Sequence, residues 1–320
     1  MNQKDKCPLC EEESSFRRLA EHFAGKINRK YTLYQCLKCN GQFWTPLKNP
    51  GADWYENDPR YAHRNIDPHT KPNQNHRKII SFLKPKTGKV LDVGCGTGNF
   101  LFWAKQNGWD GQGIDFDHDA IKAAKESLGL KNVEVATLED YKNKYPDRKF
   151  DLITFFDVFE HIDNHNEFAE MVKSMLDSKG YIAMSMPYRG GARWLQPHDL
   201  PPRHLTRWNR KSLARFWERH GFTVKYMGRQ TDGIRFIIMK LRFKYGRFFS
   251  FNIVGKMKEK SVEGGIVKID NRTQKKISFV HLLARIKDGV LFGVPAFLVW
   301  LVMLPTSKRY VTLYMIAQKK

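Results

Sequence analysis

Cys7-Pro-Leu-Cys10 and Cys36-Leu-Lys-Cys39 are two C-x-x-C pairs, one on each side of a longer intervening stretch. Each pair can set two thiolates on one tight turn, and two such turns complete a tetrahedral four-sulfur site. Pro8 inside the first turn and Asn40-Gly41 after the second are turn formers. The spacing predicts a structural zinc site, closed by its four protein ligands and therefore not catalytic. Redox disulfides are the alternative reading of the same pairs, against which stands a reducing cytosol. Cys95, the fifth cysteine, reads as a small filler.

The second cluster is Val90-Leu-Asp-Val-Gly94-Cys-Gly96-Thr-Gly98-Asn99, an apolar strand running into three glycines and then a helix. Glycines let a ligand approach the backbone closely, and the helix start offers unpaired N–H groups. The spacing is G-x-G-x-G, unlike the G-x-G-x-x-G of most dinucleotide folds, and the Gly-Lys-Ser/Thr ending of a P-loop is missing. The next strand after that helix ends in Asp115. An acid placed there can accept hydrogen bonds from both hydroxyls of a ribose. The plainer alternative is that these residues only shape turns.

Elements that would hold these residues follow from the pattern around them. HRKIISFLK reads as a helix ending before Pro85. After it come strand KVLDVG, helix NFLFWAKQNG, strand DGQGID, helix HDAIKAAKESLG, strand NVEVATL and strand FDLITFFD. Helix NEFAEMVKSMLDSKG, strand YIAMSMP, helix RKSLARFWERHGF and strand TVKYMG complete the series, and RYVTLYMIAQ reads as a last strand. Alternation of strands and helices predicts a parallel sheet covered on both faces.

At this point the chain resembles the class I S-adenosylmethionine-dependent methyltransferases. The residues that carry the resemblance are VLDVGCGTGNFL, GIDFD, TLEDY and FDLITFFDVFEHI, in that order, over roughly 76–229 with a return at 309–318. The resemblance implies a Rossmann-like, seven-stranded, doubly wound α/β sheet. It implies that Gly94, Gly96 and Gly98 face the methionine part of S-adenosylmethionine, with Asp92 beneath the loop. Asp115 would bind the ribose, Leu138 and Glu139 would flank the adenine, and Phe156 and Asp157 would line the cleft. A hydroxyl or amine acceptor also needs a general base. His161, His204 and His198 are the candidates, His161 and His204 ahead of His198; in the family the histidine at the position of His161 more often orders its loop. N-terminal four-cysteine modules also occur in similar families, including sugar C-methyltransferases. Those carry a second Rossmann-like domain, and this tail has no second glycine loop, so their substrate is not transferred.

Charge refines this organisation. The formal net charge is +22, yet residues 1–185 carry only +1, against +8 for 186–229 and +13 for 230–320. The expected layout is a zinc ribbon over 1–48, a Pro/Asn/Asp-rich linker or cover over 49–75 and a methyltransferase core over 76–229. A basic and apolar helical insert over 230–305 and a final core strand over 306–320 follow. Within the insert, 289–305 is a continuous run without a charge. One membrane crossing needs about 20 apolar residues, and a chain that rejoins its sheet cannot cross once. An interfacial helix on an anionic membrane therefore fits better, with core packing or a homodimer interface as alternatives. Nucleic acid explains the basic residues but not the uncharged run.

The resulting expectation is a methyltransferase with S-adenosylmethionine and structural Zn²⁺ that acts on a small-molecule or lipid-linked acceptor. That acceptor would be a lipid-linked sugar, a glycan precursor or another amphiphile, met at the cytoplasmic membrane face. An RNA or protein methyltransferase that grips a macromolecule is the competing reading, and a non-catalytic adaptor a third. The first residues, MNQKDKCPLC, lack an apolar stretch, so no signal peptide is expected.

Overall fold

Successive residues of the central strands go to opposite faces. Leu91, Val93, Ile153, Phe155, Ile182 and Met184 join one buried cluster, while Val90, Leu152, Ala183 and Ile316 join another. That period of two, with both faces apolar, requires a layer of helices on each side. A computed structural model describes residues 5–51, 54–55, 72–83, 87–188, 199–231, 234, 237–238, 241, 290–304 and 310–320. The His198 position, most of 49–75 and the basic stretch 242–289 lie outside the described residues.

The N-terminal segment is a hairpin of β1 (Asp5–Lys6) and β2 (Glu13–Ser14), followed by antiparallel β3 (Phe16–Ala24), β4 (Arg29–Cys36) and β5 (Gln42–Thr45). The main sheet is built from β6 (Lys89–Val93), β7 (Asp110–Asp115), β8 (Val133–Val135), β9 (Phe150–Phe156), β10 (Leu176–Pro187), β12 (Phe222–Thr231) and β13 (Tyr310–Lys319). Its strand order is β12-β13-β10-β9-β6-β7-β8. The pairs from β10 through β8 are parallel, and β13 runs antiparallel to β10 from Tyr181 opposite Gln318 to Pro187 opposite Thr312. This is the seven-stranded sheet expected. β11 (Thr206–Arg207) lies beyond the core's fifth strand in sequence but pairs with β5, so the N-terminal sheet takes its edge strand from the second half of the chain. Residues 1–230 and 311–320 accordingly form one compact unit, and 231–310 a second.

Among the described residues, the helices of the first unit include α1 (Gln74–Leu83), α2 (Asn99–Gln106), α3 (His118–Leu128), α4 (Leu138–Lys144), α5 (His165–Met175) and α6 (Arg210–Arg219). Their ends are written in the sequence. Asp117 caps α3 by accepting from the Asp119 and Ala120 N–H groups, and Gly129 closes it in the left-handed region. Thr137 with Asp140, and Asn209 with Ser212, form reciprocal caps on α4 and α6.

Two expected boundaries shift for identifiable reasons. The third strand stops at Val135, because Thr137 turns the chain into α4. The helix before β10 stops at Met175, and LDSKG is extended, with Leu176 paired to Phe150 and a register shift before Tyr181. Gly180 is a close-packing residue of that strand, since a β-carbon there would sit 3.2 Å from the Phe150 carbonyl oxygen.

Phe155 sits in the aromatic centre of one face, with ring centroids 5.3 Å from Phe168, 5.6 Å from Trp217 and 6.0 Å from Phe159. Phe155→Ala should therefore cost about 3–5 kcal/mol of unfolding free energy, read from urea melts; a loss below about 1 kcal/mol would mean this cluster does not carry the core.

Candidate functional site

The glycine loop is fastened to the strand beside it. Gly94 N–H and Cys95 N–H both donate to the Ile114 carbonyl, at 2.8 and 3.0 Å, and Gly98 N–H donates to the Cys95 carbonyl at 2.9 Å. Gly98 occupies the N-cap of α2 at φ 80°, where a β-carbon would collide with the Leu130 side chain. Gly96, at φ 53°, differs: nothing lies within 4 Å of the place a β-carbon would take. Its glycine leaves an open cradle above the loop.

Two carboxyls underlie that cradle, Asp92 buried and Asp115 half-buried. Asp115, at the end of β7, accepts from Gly96 N–H at 2.8 Å through one oxygen and from Asp117 N–H at 3.0 Å through the other. It thereby ties the loop to the start of α3. Burial pushes its carboxyl up to about 6 even against these hydrogen bonds. Asp92 accepts from the Thr154 hydroxyl at 2.6 Å, and burial, with the Asp115 charge nearby, raises it to about 7. Two desolvated acids beneath an open loop favour a ligand that brings positive charge and hydroxyl donors.

The rim is aromatic. Phe156 ends β9 with its ring 5.0 Å from Phe100 and 4.9 Å from His76 of α1. Burial holds His76 neutral, down to about 4. Asp157 follows in the left-handed region at φ 55°, its N–H donating to the Ser185 carbonyl at 2.7 Å. Leu138 is buried and Glu139 exposed at the first turn of α4. His76 belongs to no motif in the sequence; its one signal is the buried face of a helix that precedes the glycine loop.

Just past β9, a short 3-10 turn (Phe159–His161) brings Glu160 and His161 toward the segment before β11. His161 Nδ1 lies 2.6 Å from the Arg203 carbonyl oxygen and 3.2 Å from the Tyr55 hydroxyl. His204 Nδ1 lies 3.2 Å from an Asp199 carboxylate oxygen. The two imidazole rings are 4.7 Å apart, centroid to centroid, close to perpendicular at 76°. The structure thus brings together the two histidines singled out from sequence, and adds Tyr55, Glu160 and Asp199. Nothing in their spacing along the chain signals that they meet.

The four N-terminal cysteines also meet. Cys7 Sγ is 4.0 Å from Cys39 Sγ, Cys10 Sγ is 3.9 Å from Cys36 Sγ, and all four sulfurs lie within 4.8 Å of one another. Zinc–sulfur bonds of about 2.3 Å on a tetrahedron put the sulfurs about 3.8 Å apart, so the set fits a zinc ion. Leu9 N–H and Gly41 N–H point at Cys7 and Cys39 Sγ, each at 3.4 Å. The Cys39 thiol and burial push Cys7 far up, and burial pushes Cys10 up to about 12. A dication among them reverses that preference.

Comparisons with known proteins come to the same fold. Residues 62–226 match the methyltransferase-domain family. Mitochondrial ubiquinone biosynthesis O-methyltransferase of Saccharomyces cerevisiae is 31% identical over 159 residues, 45% of this chain and 47% of that protein. Phosphoethanolamine N-methyltransferase 3 of Arabidopsis thaliana is 39% identical over 92 residues, 28% of this chain and 19% of that protein. The chain thus spans about half of the first relative and about a fifth of the second. Among solved structures, the [4+2]-cyclase SpnF is similar with a TM-score of 0.50 at 15% identity, over 84% of this chain and 95% of that one.

The two glycines make a sharp contrast. Gly96→Ala should cost about 1–2 kcal/mol, the left-handed conformation alone. Gly98→Ala adds overpacking against Leu130 and should cost about 1–3 kcal/mol more. Denaturant melts of both variants check this, and equal losses would contradict the packing described at Gly98.

Proposed function

The chain belongs to the methyltransferase-domain family, and from that membership we propose that it binds S-adenosylmethionine at the glycine loop and transfers its methyl group to a small-molecule acceptor. The observation that carries this reading is the Asp115 carboxylate. It closes β7, holds the Gly96 N–H at 2.8 Å, and lies beside a loop with open space above Gly96. When bound, the sulfonium supplies an already activated methyl group. The loop Gly94–Gly98 faces the methionine part, Asp92 supports the loop from below, and Asp115 accepts the ribose hydroxyls. Leu138 and Glu139 flank the adenine, while Phe156 and Asp157 line the cleft. The protein's remaining tasks are to align the acceptor and exclude water. His161 and His204, beyond the end of β9, stand on the acceptor side of the cleft, where the acceptor's hydroxyl has to lose its proton.

An oxygen acceptor is favoured. Relatives include a ubiquinone biosynthesis O-methyltransferase and a malonyl-[acyl-carrier protein] O-methyltransferase, both modifying oxygen by name. The acceptor class we infer is amphiphilic, a lipid-linked sugar or glycan precursor among the forms it can take, met at the membrane's cytoplasmic face. Support comes from the second unit. Residues 290–303 are helical. Val290, Val294, Leu298 and Val302 recur every fourth residue at 66%, 61%, 58% and 75% exposure. Phe297 and Trp300 stack with centroids 6.0 Å apart. Among the described residues, no helix is long and apolar enough to cross a membrane. Such a helix lies in the interface, and the +13 carried by residues 230–320 draws it to anionic lipid. Cys7, Cys10, Cys36 and Cys39 hold a structural zinc that braces the N-terminal sheet.

Two experiments test this. Calorimetry should show S-adenosylmethionine binding that weakens at least tenfold in Asp115→Asn. Because burial pushes the Asp115 carboxyl up to about 6 in the free chain and the ionised form accepts the two hydroxyls, binding near pH 6 should release a proton and should weaken as pH falls further. Unchanged affinity in the variant would remove Asp115 from the ribose. In the second experiment, the protein should float with vesicles containing phosphatidylserine at low salt and be released at high salt; equal flotation with neutral vesicles, or none, would sink the membrane reading.

A further inference from the structure

We propose that Glu160, His161 and His204 form a second metal site, distinct from the four cysteines, for a first-row divalent cation. Their ligand atoms all lie within 4.8 Å of one another. His161 Nε2 is 4.0 Å from Glu160 Oε1, and His204 Nε2 is 3.9 Å from the same oxygen. Bonds of about 2.0–2.2 Å to nitrogen and oxygen put neighbouring ligands about 3.4 Å apart on a tetrahedron. Both histidine–Glu160 pairs therefore have to close by only about half an ångström.

The tautomers of both histidines suit a metal as well as their positions do. A carbonyl oxygen accepts and never donates, so the 2.6 Å contact with the Arg203 carbonyl puts the His161 proton on Nδ1. The Asp199 carboxylate 3.2 Å away does the same for His204 Nδ1. In the neutral form of each ring, Nε2 then carries the lone pair, and both Nε2 atoms face the one carboxylate oxygen. This is how metal-ligating histidines are set: the far nitrogen donates to a carbonyl or carboxylate, and the near one is left for the ion. The charges also suit a dication, with Glu160 in contact and Asp199 behind His204.

Two imidazoles and one carboxylate are three protein ligands, which leaves coordination positions open. Glu160 is buried, while the side chains of His161 and His204 remain 15% and 11% exposed, so a small ligand can reach the site. The ligand class it would take is an oxygen donor: water, or a hydroxyl, enol or phenol of the acceptor. That last assignment rests on the methyl-transfer reading; the metal site itself does not.

The site is tested by equilibrium dialysis of the full chain against low-micromolar zinc, with metal counted by plasma emission. The wild-type chain should hold two zinc ions. Glu160→Gln and His204→Ala should each hold one, with circular dichroism and S-adenosylmethionine binding retained. Cys39→Ser should lose the other ion. One zinc in the wild type, or two in both the Glu160 and His204 variants, overturns the second site. A chain with two zinc ions and no affinity for S-adenosylmethionine would keep the metal site and overturn the methyl-transfer reading, so the two failures are distinguishable. A variant that unfolds is replaced by His161→Gln, which removes a ligand nitrogen but keeps an amide able to donate to the Arg203 carbonyl; unchanged zinc there counts against the site.

Discussion

Both faces of the central sheet are buried, and that constraint organises everything else. Leu91 and Val90, Ile153 and Leu152, Ala183 and Met184 alternate into two apolar clusters. A strand with no solvated face has nowhere along its length for exposed polar chemistry. Polar groups therefore gather where strands stop. Asp115 ends β7, Asp157 follows β9, and the glycine loop follows β6. Asp92, Thr154 and Ser185 are buried polar side chains within the central strands, and the Thr154 hydroxyl donates to the Asp92 carboxyl at 2.6 Å.

The same constraint explains why so much was legible. A glycine triplet after an apolar strand and an acid closing the next strand are local signals, and so are the caps of Asp117, Thr137 and Asn209. Each depends on residues within a few positions. The paired cysteines are legible for a related reason: each pair is local, and only the meeting of the two pairs is long-range. The structure adds that meeting, with sulfurs about 4 Å apart across β4 and the first turn.

What the sequence hid is of another kind. β11 pairs with β5 from the far end of the chain, Thr206 opposite Phe43, and so short a strand gives no periodicity to read. The Tyr55–His161–His204 cluster joins three segments whose only signal is residue type. His161 and His204 could be singled out as isolated candidates, but the Arg203 carbonyl and the Asp199 carboxylate that orient them depend on tertiary packing. The N-terminal sheet follows the same logic. It reads as a separate ribbon along the chain, yet shares its edge with β11, and Asn209 donates to the Cys39 carbonyl at 3.2 Å. The cysteine site is thereby coupled to the start of α6.

The proposed methyl transfer rests on a half-buried carboxylate, Asp115, beside an open glycine loop, as the group that receives the nucleoside of S-adenosylmethionine. Carbon-detected NMR of the aspartate carboxyls reads that group directly. In the free protein the Asp115 carboxyl should titrate at about 6, and with S-adenosylmethionine bound it should stay ionised to lower pH. An Asp115 titration that is the same with saturating S-adenosylmethionine as without it would contradict the account.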